Sequence, residues 1–296
     1  MSRARVLAAA VLASTLAAPT ARADDTATVW GRARRPDLVA NEKMLRQVDE
    51  HLRNGVDVLP DVRELYMREA RRQLEAAGGD RSTDVRVRVR YADVLHMLDD
   101  YAGCARAYER VLAASPDAPT AAHANDGLAI CYAHLGRHVD EMRAYGAALE
   151  LEARPDYRAR LFANRAEALM ALGDIEGAIR GYRDSVSLVA GMGPPTDKGL
   201  ATTYWGLGVA LDRGGNLEAG LAAIAIARAY DRSDSAISDA NEWFFSPVWD
   251  GAWYFALGHW QHARAAKLTA ARVEHYLSAV ALWEEYLAKA PADDRY

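Results

Sequence analysis

Apolar and polar positions in the middle of the chain follow the three- and four-residue spacing of amphipathic helices, in pairs of segments separated by short turns. In one such pair, apolar residues from Leu128 to Tyr132 precede a turn at Gly136, and others from Met142 to Leu149 follow it. Residues three and four apart lie on one face of a helix, so each segment has one apolar stripe. Glycine suits the turn because it adopts the left-handed conformation that ends many helices. The pattern predicts pairs of antiparallel helices.

The helix pairs recur with a fixed spacing. Tyr108, Tyr145 and Tyr182 stand 37 residues apart. A turn pair lies nine residues before each tyrosine, and a fourth pair lies nine residues before Ile224. These turn pairs are Asp99-Asp100, Gly136-Arg137, Gly173-Asp174 and Gly215-Asn216. A period of this length is typical of solenoids, in which each unit buries its apolar face against the next because it cannot do so alone.

The four units resemble the tetratricopeptide repeat family, whose pattern includes Leu-Gly or Leu-Ala, a tyrosine, a Gly-Asp turn, an aromatic residue and a proline. The fourth unit matches this pattern at Tyr204, at Leu207-Gly208 and at Gly215-Asn216-Leu217. The first unit departs from it at Arg88, where the family has a bulky apolar residue. The resemblance covers residues 85–232 and implies an all-α, right-handed superhelical solenoid of antiparallel helix hairpins.

Helical regions that diverge from the repeat flank it on both sides. In the N-terminal region, 24–84, Pro36 and Pro60 each open a segment with an apolar stripe. Proline is favoured at the first position of a helix, so this region predicts a helix hairpin that caps the stack. After the repeats, 233–251 is expected to be an aromatic-rich loop and 252–296 a degenerate helix hairpin.

The start of the first repeat carries a conflicting signal. Valine and arginine alternate from Val85 to Arg90, as in a half-buried strand. The spacing of Val85, Val89 and Leu95 also suits a helix, and the repeat requires a helix at this position. We therefore predict a helix, with a strand as the alternative.

Aromatic residues concentrate just after the repeats. Four of the seven tryptophans lie between Trp243 and Trp260, so this segment differs in kind from the alanine-rich repeats. One interpretation is that it folds over the end of the solenoid and fills its core. The other is a platform of Trp243, Trp249 and Trp253 that binds a peptide or stacks on sugar rings. Burial of these rings would weaken the second interpretation.

The N-terminus has the pattern of a secretory signal peptide. Arg3 and Arg5 precede an apolar run, and Ala21-Arg22-Ala23 offers the small-x-small pattern that signal peptidases cut. We predict that residues 1–23 are removed and that the mature chain is exported, to the periplasm or out of the cell. No later segment is long and apolar enough to span a bilayer, so no transmembrane anchor is expected.

Charge and cysteine content add two expectations. Removal of Arg3, Arg5 and Arg22 with the signal peptide changes the formal net charge from −5 to −8. That acidity argues against general nucleic-acid binding, which needs a basic surface. Cys104 and Cys131 lie in adjacent repeats, where they form either a disulfide or a pair of small buried thiols.

The chain shows no catalytic constellation, so we expect neither enzyme activity nor a cofactor. His259 and His262 are three residues apart on one helix face, and His275 lies further on. Metal sites need three or four converging ligands with supporting groups, and these histidines lack an identified set. We therefore predict no metal site.

In the tetratricopeptide repeat family the first helices of successive hairpins line a concave groove, and the resemblance places that role on matching residues here. The guanidinium groups of Arg86, Arg90 and Arg160 can hold carboxylates through paired hydrogen bonds. In the alternative interpretation they form a solvated surface with internal ion pairs. The implied partner-binding residues are Arg86, Arg90, Asp93, His96, His123, Asp126, Arg160, Asn164, Glu167 and Trp205.

The function that follows is an exported scaffold that binds a protein or peptide in the cell envelope. The alternative is a carbohydrate- or peptidoglycan-associated binding module that uses the aromatic segment 243–260. Exposure of the tryptophan rings in that segment distinguishes the two functions.

Overall fold

A computed structural model describes residues 33, 35–55, 58–190, 197–231 and 249–291. These residues contain twelve α-helices and no β-strand, which confirms the all-α prediction. None of these helices is long and apolar enough to cross a membrane. The helices are α1 (Pro36–Asn54), α2 (Pro60–Ala76), α3 (Val85–Met97), α4 (Tyr101–Ala113), α5 (Ala118–His134), α6 (His138–Leu151), α7 (Pro155–Ala171), α8 (Ile175–Ala190), α9 (Asp197–Arg213), α10 (Leu217–Tyr230), α11 (Asp250–Ala265) and α12 (Thr269–Lys289).

The helices pair as hairpins that stack in chain order. The repeat hairpins are α3/α4, α5/α6, α7/α8 and α9/α10, with α1/α2 packed before them and α11/α12 after them. Each hairpin touches the next through the second helix of one and the first helix of the other. This stacking confirms the helical solenoid. The proposed signal peptide, 1–23, and most of the aromatic loop, 233–248, lie outside the described residues.

The strand alternative for the start of α3 is wrong, and the packing of this helix explains the misleading pattern. Its first turn is capped by Asp84, whose carboxylate accepts a backbone N–H at 3.0 Å. Val87 and Val94 pack with α1 and α2, whereas Val89 and Leu95 pack with the following repeats. Valines alternate because both sides of this helix are buried.

The turn pairs end one helix and begin the next. Gly136, Gly173 and Gly215 have φ values between 68° and 82°, the left-handed conformation in which glycine has no Cβ penalty. A polar side chain at the second turn position satisfies an N–H that the following helix leaves unpaired. Three turns use this cap, through the side chains of Asp100, Asp174 and Asn216.

The periodic tyrosines form contacts between hairpins. Tyr108, Tyr145 and Tyr182 are at most 2% exposed. The ring of Tyr108 lies against Gly127 and that of Tyr182 against Gly206, so closely that an added Cβ would overlap the ring. The sequence pattern identified the tyrosines and missed the glycines, because a single helical glycine has no periodic signal of its own.

Replacing Gly127 with alanine should lower the free energy of unfolding by about 1–3 kcal/mol, because the added methyl group overpacks the contact with Tyr108. Gly146→Ala is the matched control, since it lies inside α6 with nothing within 4 Å of an added Cβ. The control should be stabilised by about 0.5–1 kcal/mol, because alanine is the better helix former. Urea denaturation measures both changes. Equal effects at the two positions would contradict the tight contact.

A disulfide links the first two repeats. Cys104 in α4 and Cys131 in α5 are bonded, with Cα atoms 6.3 Å apart. Both side chains are fully buried in the core shared by these hairpins. Of the two alternatives for these cysteines, the structure has the disulfide.

Candidate functional site

A cleft of about 570 Å³ opens between α1, α3 and α5, at the N-terminal end of the solenoid. The cleft combines a small apolar floor with a charged wall. Leu45, Val85 and Val89 supply the apolar part. The polar lining consists of Glu42, Arg46, Asp49, Arg86, Arg90, Thr120 and His123. Three residues implied by the resemblance, Arg86, Arg90 and His123, therefore share one surface.

The position of α1 forms this cleft. Leu45 and Val48 of α1 pack with Met67 and Leu74 of α2 and with Val87 of α3. This apolar contact fixes the helix beside the repeats and leaves its polar residues facing the first helices of the first two hairpins.

A hydrogen-bonded network centred on Asp93 underlies the cleft. Its carboxylate accepts the Tyr108 hydroxyl at 2.5 Å and the Arg90 guanidinium at 3.1 Å, and lies 2.8 Å from Nε2 of His123. Burial alone would raise the pKa of Asp93, but the hydrogen bonds from His123 and Tyr108 and the charge of Arg90 hold it below its usual value. The hydrogen bond to Asp93 in turn raises the pKa of His123, which favours the imidazolium.

The arginines of the cleft have carboxylate partners inside the protein. Arg90 donates to Asp49 at 2.6 Å as well as to Asp93. Arg86 donates to Asp84 at 2.8 Å and to the Leu38 carbonyl at 3.0 Å. The side chains of Arg90 and Arg86 remain roughly one third exposed, at 35% and 37%. Each arginine is therefore held in place by an acidic residue and still reaches the surface of the cleft.

Arg46 is the cation of the cleft that sequence reasoning missed. Its side chain is exposed, and it has no hydrogen bond or ion pair with any other described residue. The sequence predicts the N-terminal region only as a capping hairpin. Groove positions were assigned from the repeat pattern, and α1 lies outside the repeat. A charged residue on a helix outside the repeat gave no signal of its own.

The second and third hairpins contribute a separate part of the groove. Arg160 of α7 donates to the buried Asp126 of α5 at 2.6 Å, and its guanidinium lies 5.2 Å from the ring centre of Tyr157. Asn164 lies one turn further along α7 and is half-buried. The Arg160–Asp126 contact connects adjacent first helices, so this stretch of the groove is built on an internal ion pair.

Glu167 stands out among the acidic residues of the groove. Burial, together with the negative charge of Glu141, raises the pKa of Glu167 to about 8. The Glu141 carboxylate is itself buried and lies 2.8 Å from Nδ1 of His138. At neutral pH the Glu167 side chain is therefore mainly a neutral carboxylic acid, and it does not add to the negative charge of the groove.

Two implied groove residues lie in other surroundings. Trp205 is 1% exposed and packs in the core, 5.6 Å from the ring centre of Phe255. His96 lies near the turn of the first repeat, about 6 Å from the rings of Tyr101 and His134, and burial lowers its pKa. The structure thus brings neither residue into the cleft.

The tryptophans of the aromatic segment are partly described. Trp253 packs in the core 5.4 Å from the ring centre of Tyr286, and its indole N–H donates to Asp212 at 3.3 Å. Trp249 is half-buried, and Trp243 lies outside the described residues. The packing of Trp253 favours a core role for this part of the segment.

The three C-terminal histidines come together between α11 and α12. Nδ1 of His259 lies 3.2 Å from Nδ1 of His275, and the His262 ring centre is 5.2 Å from that of His275. Across the described part of the chain, no group of three or more histidine, cysteine or acidic side chains is arranged to hold a metal ion.

Comparisons with known proteins find similarity at the level of structure. No protein-family model matches the chain, and no curated protein matches it in sequence. The crystal structure of the APC/C hetero-tetramer Cut9-Hcn1 matches with a TM-score of 0.52 and 15% identity, over 86% of this chain and 44% of that one. The C-terminal part of a TPR repeat-containing protein from Cytophaga hutchinsonii matches with a TM-score of 0.50 and 14% identity, over 85% of this chain and 97% of that one. With the stacked hairpins, these matches show that the chain has the tetratricopeptide repeat fold.

Proposed function

We propose that this protein is an exported scaffold that binds an acidic segment of a protein or peptide partner in the cell envelope, in the cleft between α1, α3 and α5. The observation that carries the proposal is the exposed Arg46 guanidinium, which lines this cleft together with Arg86, Arg90 and His123 and has no partner among the described residues. The fold supports a binding role, and the structure of Cut9-Hcn1 is by its own name a hetero-tetramer.

The electrostatics of the cleft favour a carboxylate-bearing partner. The raised pKa of His123 favours its positive form, and the first turn of α5, with Pro119 and Thr120, faces the same space. Arg86 and Arg90 are already held by carboxylates, so they are pre-positioned to share their remaining N–H groups with the partner.

Glu42 and Asp49 limit how negative charge can be placed in the cleft. Both line the side formed by α1, and Asp49 is paired with Arg90. A compact cluster of carboxylates would meet them, whereas an extended acidic segment can place single carboxylates beside Arg46 and His123. We therefore propose an extended segment as the bound form.

Arg46→Glu should weaken binding of the partner about tenfold at low salt, because it reverses an exposed charge that has no internal role. Capture from envelope extracts identifies the partner, and titrations of its acidic segment at two salt concentrations measure the change. Lys43→Glu is the matched control, since it makes the same charge change on an exposed position of α1 outside the cleft. Equal losses with both variants would place binding outside the cleft.

Arg46 is a better test than the three arginines implied by the resemblance. Arg90→Glu would bring a third carboxylate beside Asp49 and Asp93, and Arg160→Glu would leave the buried Asp126 without its partner. In such variants a loss of binding would not distinguish loss of a partner contact from loss of folding stability, because unpaired buried charges are strongly destabilising.

Export is supported by the signal-peptide pattern and by the buried disulfide. Disulfides persist in oxidising compartments and are rare in the cytosol. We expect the mature protein, recovered from the periplasmic or secreted fraction, to begin at Asp24, and N-terminal sequencing measures this directly. An intact Met1 terminus in the cytoplasmic fraction would contradict export.

A further inference from the structure

The last helix of the solenoid has two apolar faces, and one of them is exposed. Ala279 and Tyr286 are buried on the side of α12 that packs on α11. A second stripe, spaced at four, three and seven residues, stays in solvent. This stripe consists of Val273, Leu277, Val280 and Leu287, which are between 48% and 73% exposed. We call these four residues the C-terminal stripe.

The N-terminal hairpin, α1/α2, also exposes apolar residues, at the opposite end of the stack. Leu59, Val62 and Leu65 are 74%, 38% and 68% exposed, and they are three residues apart at the start of α2. We call these residues the N-terminal patch. In a solenoid each hairpin buries its face against its neighbour, and terminal units normally have a polar outer side. Here both terminal hairpins keep apolar residues outside.

Each end carries charges of both signs, and one acidic residue of the stripe can pair with one basic residue beside the patch. Glu284 lies within the C-terminal stripe, four residues after Val280 and three before Leu287, and it has no ion pair in the described part of the chain. Arg63 adjoins the N-terminal patch. Its guanidinium donates to the Gly55 carbonyl at 3.1 Å and has no carboxylate partner among the described residues.

We infer that the C-terminal stripe of one copy binds the N-terminal patch of the next, so that the protein associates head to tail. Apolar contact supplies the driving force, and Arg63 of one copy meets Glu284 of the other. Because the two surfaces are different, the contact is heterologous and leaves a free stripe and a free patch on every complex. Association therefore continues beyond two copies as the concentration rises. This inference is independent of the cleft.

Sedimentation velocity of the full mature chain, over a concentration series, tests the association. The wild type should form complexes larger than a dimer. Leu277→Glu disrupts the stripe and Leu65→Glu disrupts the patch, so each variant should be monomeric alone. An equal mixture of the two should form a complex of two copies and nothing larger, because the intact patch of the first variant binds the intact stripe of the second. Leu172→Glu, at a 41% exposed position away from both ends, is the control and should associate like the wild type.

The pairing of charges gives a second, independent test. Glu284→Arg and Arg63→Glu should each weaken association about tenfold or more, and a chain with both substitutions should recover it. Circular dichroism confirms that every variant keeps its helix content. A wild type that remains monomeric throughout the series would overturn the inference. Dimers of Leu65→Glu as stable as those of the wild type would also overturn it, because they would indicate a symmetric contact through α12 alone.

Discussion

The Tyr145→Ala variant should unfold with a free energy about 3–5 kcal/mol below that of the wild type. Tyr145 is 1% exposed, and its ring packs in the core shared by the first three repeats, with Leu128, Ala129 and Leu161. Removal of the ring leaves a cavity at the junction of two hairpins, where the helices cannot collapse without breaking their packing. Chemical denaturation, followed by circular dichroism, measures the change.

Two further variants separate the contributions of the ring and its hydroxyl. Tyr145→Phe keeps the ring and removes only the hydroxyl, so it should lower the free energy of unfolding by no more than about 1 kcal/mol. Tyr157→Ala removes a tyrosine that is 40% exposed and should change stability by less than about 1 kcal/mol. A loss at Tyr145 no larger than the loss at Tyr157 would contradict a role of the periodic tyrosines in joining the hairpins.

Glu167→Gln should stabilise the protein by about 2–4 kcal/mol at pH 8.5 and change its stability little near pH 4. The pKa of Glu167 is raised from 4.5 to about 8, by burial first and by the charge of Glu141 second. At about 1.4 kcal/mol per pH unit, a rise of the pKa from 4.5 to about 8 corresponds to a loss of about 5 kcal/mol in the free energy of unfolding. We expect a smaller change, because this half-buried side chain is partly hydrated.

The sign of this effect follows from the direction of the pKa shift. Between pH 4.5 and about 8 the folded state keeps the Glu167 proton and the unfolded state releases it, so a rise in pH through this window favours unfolding. Glutamine has no proton to lose, so the advantage of the variant grows across the same window. Urea denaturation at pH 4, 6 and 8.5 measures it, with Glu176→Gln as the control because Glu176 is 90% exposed. An advantage that does not change with pH would contradict the raised pKa.

Much of the fold could be predicted because its signals are local. A helical stripe needs apolar residues three and four apart, and a helix end needs a residue that tolerates positive φ. The chain places glycine at 136, 173 and 215 and a capping side chain at three of the four turns. At the first turn Asp99 takes the left-handed conformation itself, with φ of 58°, so the turn forms even where glycine is absent.

The candidate site could be predicted only in part. Family resemblance identified Arg86, Arg90, Asp93 and His123, which the structure brings together. It could not supply Arg46, because the cleft needs α1 and that helix lies outside the repeat. It also could not show that Trp205 is in the core, since whether a ring is buried depends on the helices of the following hairpins, α11 among them.

By itself, the sequence determined the helix pairs, their period and their turns, since these depend on residues a few positions apart along one chain. Tertiary structure alone decided which charges neutralise one another, and which histidine and which carboxyl have raised pKa values. Asp93 and His123 are 30 residues apart, and Arg90 and Asp49 are 41 apart. Electrostatic energies depend on distance and on hydration, and both are set only when the hairpins stack.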